Sequence, residues 1–447
     1  MKNLSRSQFT QVSIMLFGLF FGAGNLIFPP FLGNQAGNKT IISLLAFSVT
    51  AIIFPVLGAI AVGKTDGLKN LSSRVGEKFA LVFTTAIYLS IGPGLGIPRA
   101  GSVPFEMAIA PYVPETFNLS LVRLAYTLVF FAVAMWVCLK PNKLVARVGK
   151  YLTPTLLLLI FIMFAKVMTL PKVPAMASGN YKDAPVVAGF LAGYDTMDAV
   201  AALNFGFVVT LAIRRFGVED KKLVTSYTAK AGILAGSVLF VVYLMLSTMG
   251  MATSKAFAGV ENGAVVLTEA VKLVFGNSGL VLLASIFTLA CLTTCIGLIS
   301  SGSEYFCTLF NSKMSYGRWV FLWTFFSFVM ANFGLNKLLA LSVPLLTVIY
   351  PVALVLILLG FTHDFVGYSR LSYKASAFFA VVLPLVSVAK STFNLGLPVL
   401  TKLEASLPMA SSGLSWVLPS LGAVVLVEAY SRLLLPSKAG LKTENYM

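Results

Sequence analysis

Phe17-Gly-Leu-Phe-Phe-Gly-Ala-Gly-Asn25 lies in the middle of an uncharged apolar stretch, residues 9–32, with Pro29 and Pro30 near its end. Such a stretch is long enough for a bilayer-spanning helix, which needs about 20 largely apolar residues. Glycine costs about 1 kcal/mol in a helix interior, so Gly18, Gly22 and Gly24, followed by Asn25, predict a span that unwinds halfway. A second stretch, 186–213, carries Gly189, Gly193, Tyr194, Asp195, Thr196 and Asp198 at mid-span. Carboxylates inside a membrane are rare and face a cavity or another protein group. Two interrupted spans, five spans apart, are the pattern of two inverted five-helix repeats whose breaks meet at a binding site.

Both breaks have plainer readings. Gly18 and Gly22 form a GxxxG pair, which lets a neighbouring helix approach closely. Asp195 and Asp198, in Asp-x-x-Asp spacing, are expected to cap the start of a half-helix. A cap of this kind is compatible with lining a site, because backbone at membrane depth has to be satisfied somewhere.

The whole chain fits this reading. Its 447 residues are 58% hydrophobic and 11% charged, too few charges to coat two or three soluble domains. Twelve spans are read, at 9–32, 40–63, 78–98, 121–140, 150–169, 186–213, 229–251, 277–304, 317–335, 338–361, 374–391 and 411–434. They form one polytopic domain, with repeats at 9–169 and 186–361 and two further helices at 374–434. Lys2 and Arg6 precede the first span as in a secretion signal, but the apolar run is too long for one. The net charge of +17 follows from topology rather than from nucleic-acid binding, since no block of five basic residues exists. With both termini cytoplasmic, about two-thirds of the 33 basic residues fall inside, Arg214, Arg215, Lys438 and Lys442 among them.

Other motifs lose their usual meaning in this context. Gly58-Ala-Ile-Ala-Val-Gly-Lys-Thr65 matches a phosphate loop letter for letter, but it closes an uncharged span where a strand–loop–helix is required. Gly92-Pro-Gly-Leu-Gly96 falls late in the third span and is set aside on the same ground. Cys138, Cys291, Cys295 and Cys307 read as small apolar residues rather than as a disulfide or zinc framework. The lone histidine, His363, is expected in a polar connection, which speaks against a histidine-based triad.

Three motifs together carry a resemblance. Phe21-Gly-Ala-Gly-Asn-Leu-Ile-Phe-Pro-Pro30, Ile91-Gly-Pro-Gly-Leu-Gly-Ile-Pro-Arg-Ala100 and Gly193-Tyr-Asp-Thr-Met-Asp-Ala199 resemble the bacterial branched-chain amino acid:cation symporter family. The resemblance extends over essentially the whole chain. It implies an all-α leucine-transporter-type fold, with twelve transmembrane helices, a 5+5 inverted repeat and discontinuous helices 1 and 6. It also implies sodium-coupled uptake of leucine, isoleucine and valine across a bacterial inner (cytoplasmic) membrane.

The physics of a site can be read beside this. The start of the second half-helix, Gly22, Ala23, Gly24 and Asn25, offers amides and a positive dipole end to a carboxylate. Backbone around Gly193, Tyr194, Asp195 and Thr196 is placed to receive an ammonium, and Tyr88 either bonds the carboxylate or packs in the core. No Lys or Arg is expected deep in the core, which argues against a dianionic substrate. In the wider fold one sodium site uses carbonyls of the first span and a carbonyl with hydroxyls of the eighth. The resemblance carries these onto Gly18, Phe21, Ala290, Thr293 and Thr294. The competing reading for the threonines is a back-bond to their own helix.

No cofactor is expected beyond sodium as the coupling ion, and no obligate protein partner. Proton coupling stays open, with Asp195, Asp198 and Glu304 as carriers. A channel lacks a filter loop, and an enzyme lacks a nucleophile–base pair or a metal cluster.

Overall fold

A computed structural model describes residues 3–434 other than 172, 261, 394, 396 and 397. Lys438 and Lys442 lie outside the described residues. Ser5 starts the first helix, accepting from Gln8 N–H while Gln8 Oε1 accepts from Ser5 N–H, a reciprocal cap. That helix, α1 (Arg6–Phe20), stops two residues before α2 (Ala23–Ala36). Then come α3 (Thr40–Ser48) and α4 (Phe54–Thr65), joined through a π turn at Val49–Ile53. The short α5 (Leu68–Ser73) leads to α6 (Glu77–Leu89), a second π turn at Ser90–Gly94, and α7 (Gly96–Ala108). Next are α8 (Leu119–Cys138), a π-wound stretch Val145–Leu152, α9 (Thr153–Val167) and α10 (Asn180–Asp183).

The second interrupted pair is α11 (Pro185–Tyr194) and α12 (Asp198–Arg215), bent by 44°. It is followed by α13 (Lys221–Thr253), α14 (Gly263–Phe275), α15 (Ser278–Leu309) and α16 (Tyr316–Ala331). The chain continues through α17 (Leu335–Val366), α18 (Arg370–Phe393), α19 (Pro398–Ser406) and α20 (Val417–Leu434).

Among the described residues there is no strand, and eight helical runs are long and apolar enough to cross a membrane. The bent α11–α12 pair is a ninth. Three of the expected spans fall short for a physical reason. The first is cut into halves of 15 and 14 residues, α16 has only 16, and the apolar part of α20 runs from Val417 to Ser431. The third span is longer than expected, because α7 continues to Ala108. Arg99 and Glu106 look like a helix end, yet Glu106 is paired with Arg123 of α8 at 2.9 Å and the helix carries on. Gly92-Pro-Gly-Leu-Gly96 is therefore a mid-span break, with Gly92 at ψ −126°. The phosphate-loop match ends inside the continuous α4, with no strand before it. Helix α14, capped by Asn262 at the amides of Ala264 and Val265, stands where only a connection was expected.

Contacts divide the chain into two units, one of Met1–Leu68 with Ala86–Ser342, the other of Lys69–Thr85 with the chain from Val343 onward. In the first unit, α2 packs along α13, while α11 packs on α3 and α12 on α4. Each interrupted span thus lies against the helices that follow the other one. The approach is close at Gly33 and Gly250, where a Cβ would collide with the backbone of Ser247 and of Pro30 respectively. In the second unit, α18 packs on α20, and Glu428 accepts from the Ser369 amide at 2.8 Å and from the Ser372 hydroxyl. His363 is in the last turn of α17 rather than in a connection, 3.3 Å from the Tyr373 hydroxyl. Cys138, Cys291 and Cys295 are buried free thiols, and Cys307 is half-buried.

Candidate functional site: the junction of two broken helices

At the first break the missing helical bonds are replaced one by one. In a continuous helix the Gly22 amide would close on the Gly18 carbonyl; here it donates to Asn25 Oδ1 at 2.9 Å. The next carbonyl, of Leu19, accepts from Thr294 Oγ1 on α15 at 3.0 Å. Pro29 and Pro30 have no amides, so the carbonyls of Asn25 and Leu26 lose their helical donors as well. The Gly18, Asn25 and Leu26 carbonyls are thus without their helical donors.

Asn25 is 1% exposed, and its other end ties the break to two distant helices. Its Nδ2 donates to Asp198 Oδ2, the first residue of α12, and meets the Tyr243 hydroxyl of α13. Tyr243 in turn lies 3.5 Å from Asp198 Oδ2 and is wedged by its ring against Phe47 and Phe21. Side chains from α2, α12 and α13 are thus joined in one buried network, in which each bond polarises the next.

The second break is a self-contained turn. Asp195 N–H donates to Leu191 O at 3.0 Å, Met197 N–H to Tyr194 O at 3.2 Å, and Thr196 Oγ1 to Gly193 O at 2.8 Å. Met197 takes a left-handed conformation, φ 65°, and starts α12. The two breaks touch: a Cβ on Gly24 would sit 3.5 Å from Thr196 Cα. Arg99 Nη1 on α7 reaches Met197 Sδ at 3.8 Å.

The family whose description is branched-chain amino acid transport protein matches residues 5–434 of this sequence. The chain belongs to that family. A branched-chain amino acid permease, BraB, of Bacillus subtilis (strain 168) is 39% identical, over 96% of each chain. The branched-chain amino acid transport system 2 carrier protein of Pseudomonas aeruginosa is 38% identical, over 97% of this chain and 98% of its own. The permease BrnQ of Escherichia coli (strain K12) is 35% identical, over 94% and 95% respectively. Among solved structures, Mhp1, a nucleobase-cation-symport-1 family transporter in a closed conformation with bromovinylhydantoin bound, superposes with a TM-score of 0.51. It covers 92% of this chain and 96% of its own at 12% identity, a likeness of fold alone. This family member is a multi-pass membrane transporter, not an enzyme.

Some of the expected residues lie close together in the transporter. Gly22, Ala23, Gly24, Asn25 and Thr196 meet at the junction, and Thr294 reaches it from α15. The carbonyl that Thr294 touches belongs to Leu19, one residue from Gly18 and two from Phe21. Thr293 is back-bonded to the Ala290 carbonyl at 2.9 Å, the competing reading for that residue; a donating hydroxyl still keeps lone pairs for a cation. Gly18 faces the Thr153 hydroxyl, and Gly193 the Phe47 carbonyl, so both also serve close packing. The Gly193 and Tyr194 carbonyls each accept a turn bond already.

Three expectations are corrected. Tyr88 is stacked on Tyr305 at 4.3 Å, about three turns along α15 from Thr294 and roughly 16 Å from it along the axis. Neither aspartate is the N-cap of α12: Asp195 ends α11 and is exposed, while Asp198 is buried and held by Asn25. Arg99 is a cation well inside the Glu77–Tyr112 run, where none was expected. Glu304 lies 4.0 Å from Arg215, in a cavity of about 250 Å³ that also includes Ser300, Ser301 and Tyr316. Tyr243, Leu19 and Arg99 are the site residues that sequence reasoning missed.

Proposed function

We propose that the protein is a secondary active transporter that carries leucine, isoleucine and valine into the cell in symport with sodium. The names of its relatives support the substrate class. The observation that carries the mechanism is the tie from Asn25 to Asp198 and Tyr243, which makes two broken helices one site. The substrate carboxylate faces the N-terminal end of α2 at Gly24, where the helix dipole is positive. Its ammonium lies toward the Gly193–Thr196 turn. The apolar side chain needs no polar partner, and leucine, isoleucine and valine differ by at most one methylene, worth about 1–3 kcal/mol in a pocket.

Sodium is the cargo that suits the oxygens of Gly18, Phe21, Ala290, Thr293 and Thr294, with Leu19 beside them; all are neutral and hard, as an alkali cation prefers. One charge crossing 100 mV supplies about 2.3 kcal/mol. A tenfold sodium gradient adds about 1.4 kcal/mol, so together they support roughly 500-fold accumulation. The reciprocal packing of the two interrupted spans supports twelve spans in a 5+5 inverted repeat with two further helices. The basic-residue bias supports cytoplasmic termini in a bacterial inner membrane. Proton coupling is the second reading, and the buried Asp198 carboxylate favours it.

Uptake into proteoliposomes, with sodium and proton gradients varied separately, distinguishes the two. Leucine accumulation that follows the sodium gradient and is competed by isoleucine and valine is the expected result. Accumulation that persists without sodium and follows the proton gradient would transfer the coupling to Asp198.

A further inference from the structure

Arg99 has chemistry that neither the helix dipole nor the sodium oxygens use. Helix α7 sets its guanidinium at the second break, where Nη1 donates to Met197 Sδ at 3.8 Å. Sulfur is a weak acceptor for a group with five fixed N–H donors. Arg99 is in no ion pair among the described residues, although Asp195 and Asp198 lie on either side of Met197 in the chain. The guanidinium therefore sits at the second break, beside Met197, whose neighbour Thr196 packs against Gly24 of α2. It is half-buried despite its depth in the span. A cation in that setting is costly unless an anion completes it, and intramembrane arginines of this kind mark substrate pathways.

We propose that Arg99 joins the N-terminal end of α2 in receiving the α-carboxylate of the amino-acid substrate, holding it in its planar fork with the substrate ammonium turned toward Asp195 and Asp198. A zwitterion then meets fixed charges of both signs, its carboxylate at Arg99 and its ammonium on the aspartate side. Arg99 thus selects for the carboxylate, whereas the apolar part of the pocket selects the side chain. The inference rests on the amino-acid reading above.

The test uses the purified full-length transporter and displacement of labelled leucine by leucine and by leucinamide, which has the same shape but no negative charge. The parent is expected to prefer leucine by about 100-fold, as a bidentate charge-assisted contact would give. In Arg99→Gln that preference should collapse to roughly threefold or less, with leucinamide binding little changed. Arg99→Lys keeps the charge but loses the fork, so its preference should be intermediate. If Gln does not reach the membrane, Lys decides: weaker leucine with unchanged leucinamide supports the assignment, and equal loss of both refutes it. A parent-like preference in Arg99→Gln refutes it as well. A parent protein that binds none of leucine, isoleucine and valine would instead sink the proposed function.

Discussion

The two breaks solve one problem in opposite ways. Between α11 and α12 the chain satisfies itself, with three turn amides and the Thr196 hydroxyl bonding carbonyls of Leu191, Gly193 and Tyr194. Between α1 and α2 the chain depends on others, because Thr294 of α15 holds the Leu19 carbonyl and Asn25 fills its own break while gripping α12 and α13. A self-satisfied turn keeps its shape whatever its neighbours do. A break satisfied from other helices has a shape that reports on where those helices are. The first break is thus tied to α12, α13 and α15, whereas the turn bonds of the second lie within its own chain segment.

Variants that separate the breaks should rank accordingly. Asn25→Ala strips the Gly22 amide of its acceptor and removes the donor to Asp198, and unsatisfied buried groups cost about 1–3 kcal/mol each. Leucine uptake per transporter in the membrane should fall about 100-fold or more. Near-parent uptake would mean that the first break does not need its tie. Thr294→Ala comes next, because the bilayer core offers no water to replace the lost oxygen. Half-saturating sodium should rise about 5- to 10-fold, while Thr294→Ser stays near the parent. Leucine affinity should drop mainly at low sodium, since coupled binding is reciprocal. Identical sodium titrations for parent, Ser and Ala would take Thr294 out of the ion site. Thr196→Val should have the smallest effect, about threefold or less in uptake, because one side-chain bond is lost and the backbone turn persists. A loss as large as that of Asn25→Ala would erase the contrast between the breaks.

The breaks themselves are legible in Gly18, Gly22, Gly24 and the acids at Asp195 and Asp198, because glycine and charge are both costly inside an apolar membrane helix. What closes each break is not legible. Tyr243 belongs to a long apolar helix and looks like ordinary core; only the fold brings it to Asn25 across 218 residues. Arg99 and Glu106 resemble the end of a span, since hydropathy sees charges but not the inward face on which a helix carries them. Tyr88 misleads for the reverse reason: a tyrosine at mid-span is equally at home in a stacked aromatic pair. The two adjacent threonines stand out in an apolar helix, and the structure divides them between a back-bond at Thr293 and an interhelical bond at Thr294.

The tie between the breaks is most directly tested by a double-mutant cycle on leucine binding with Asn25→Ala and Asp198→Asn, each variant normalised to folded protein in the membrane. Residues joined in one hydrogen-bond network show coupling of about 0.5–3 kcal/mol, whereas independent sites add to within about 0.3–0.5 kcal/mol. If Asn25 and Asp198 hold the two broken helices as one site, the double variant should bind leucine little worse than the weaker single variant, with coupling of about 1 kcal/mol or more. Losses that simply add would contradict the account and leave two broken helices that neighbour each other without acting together.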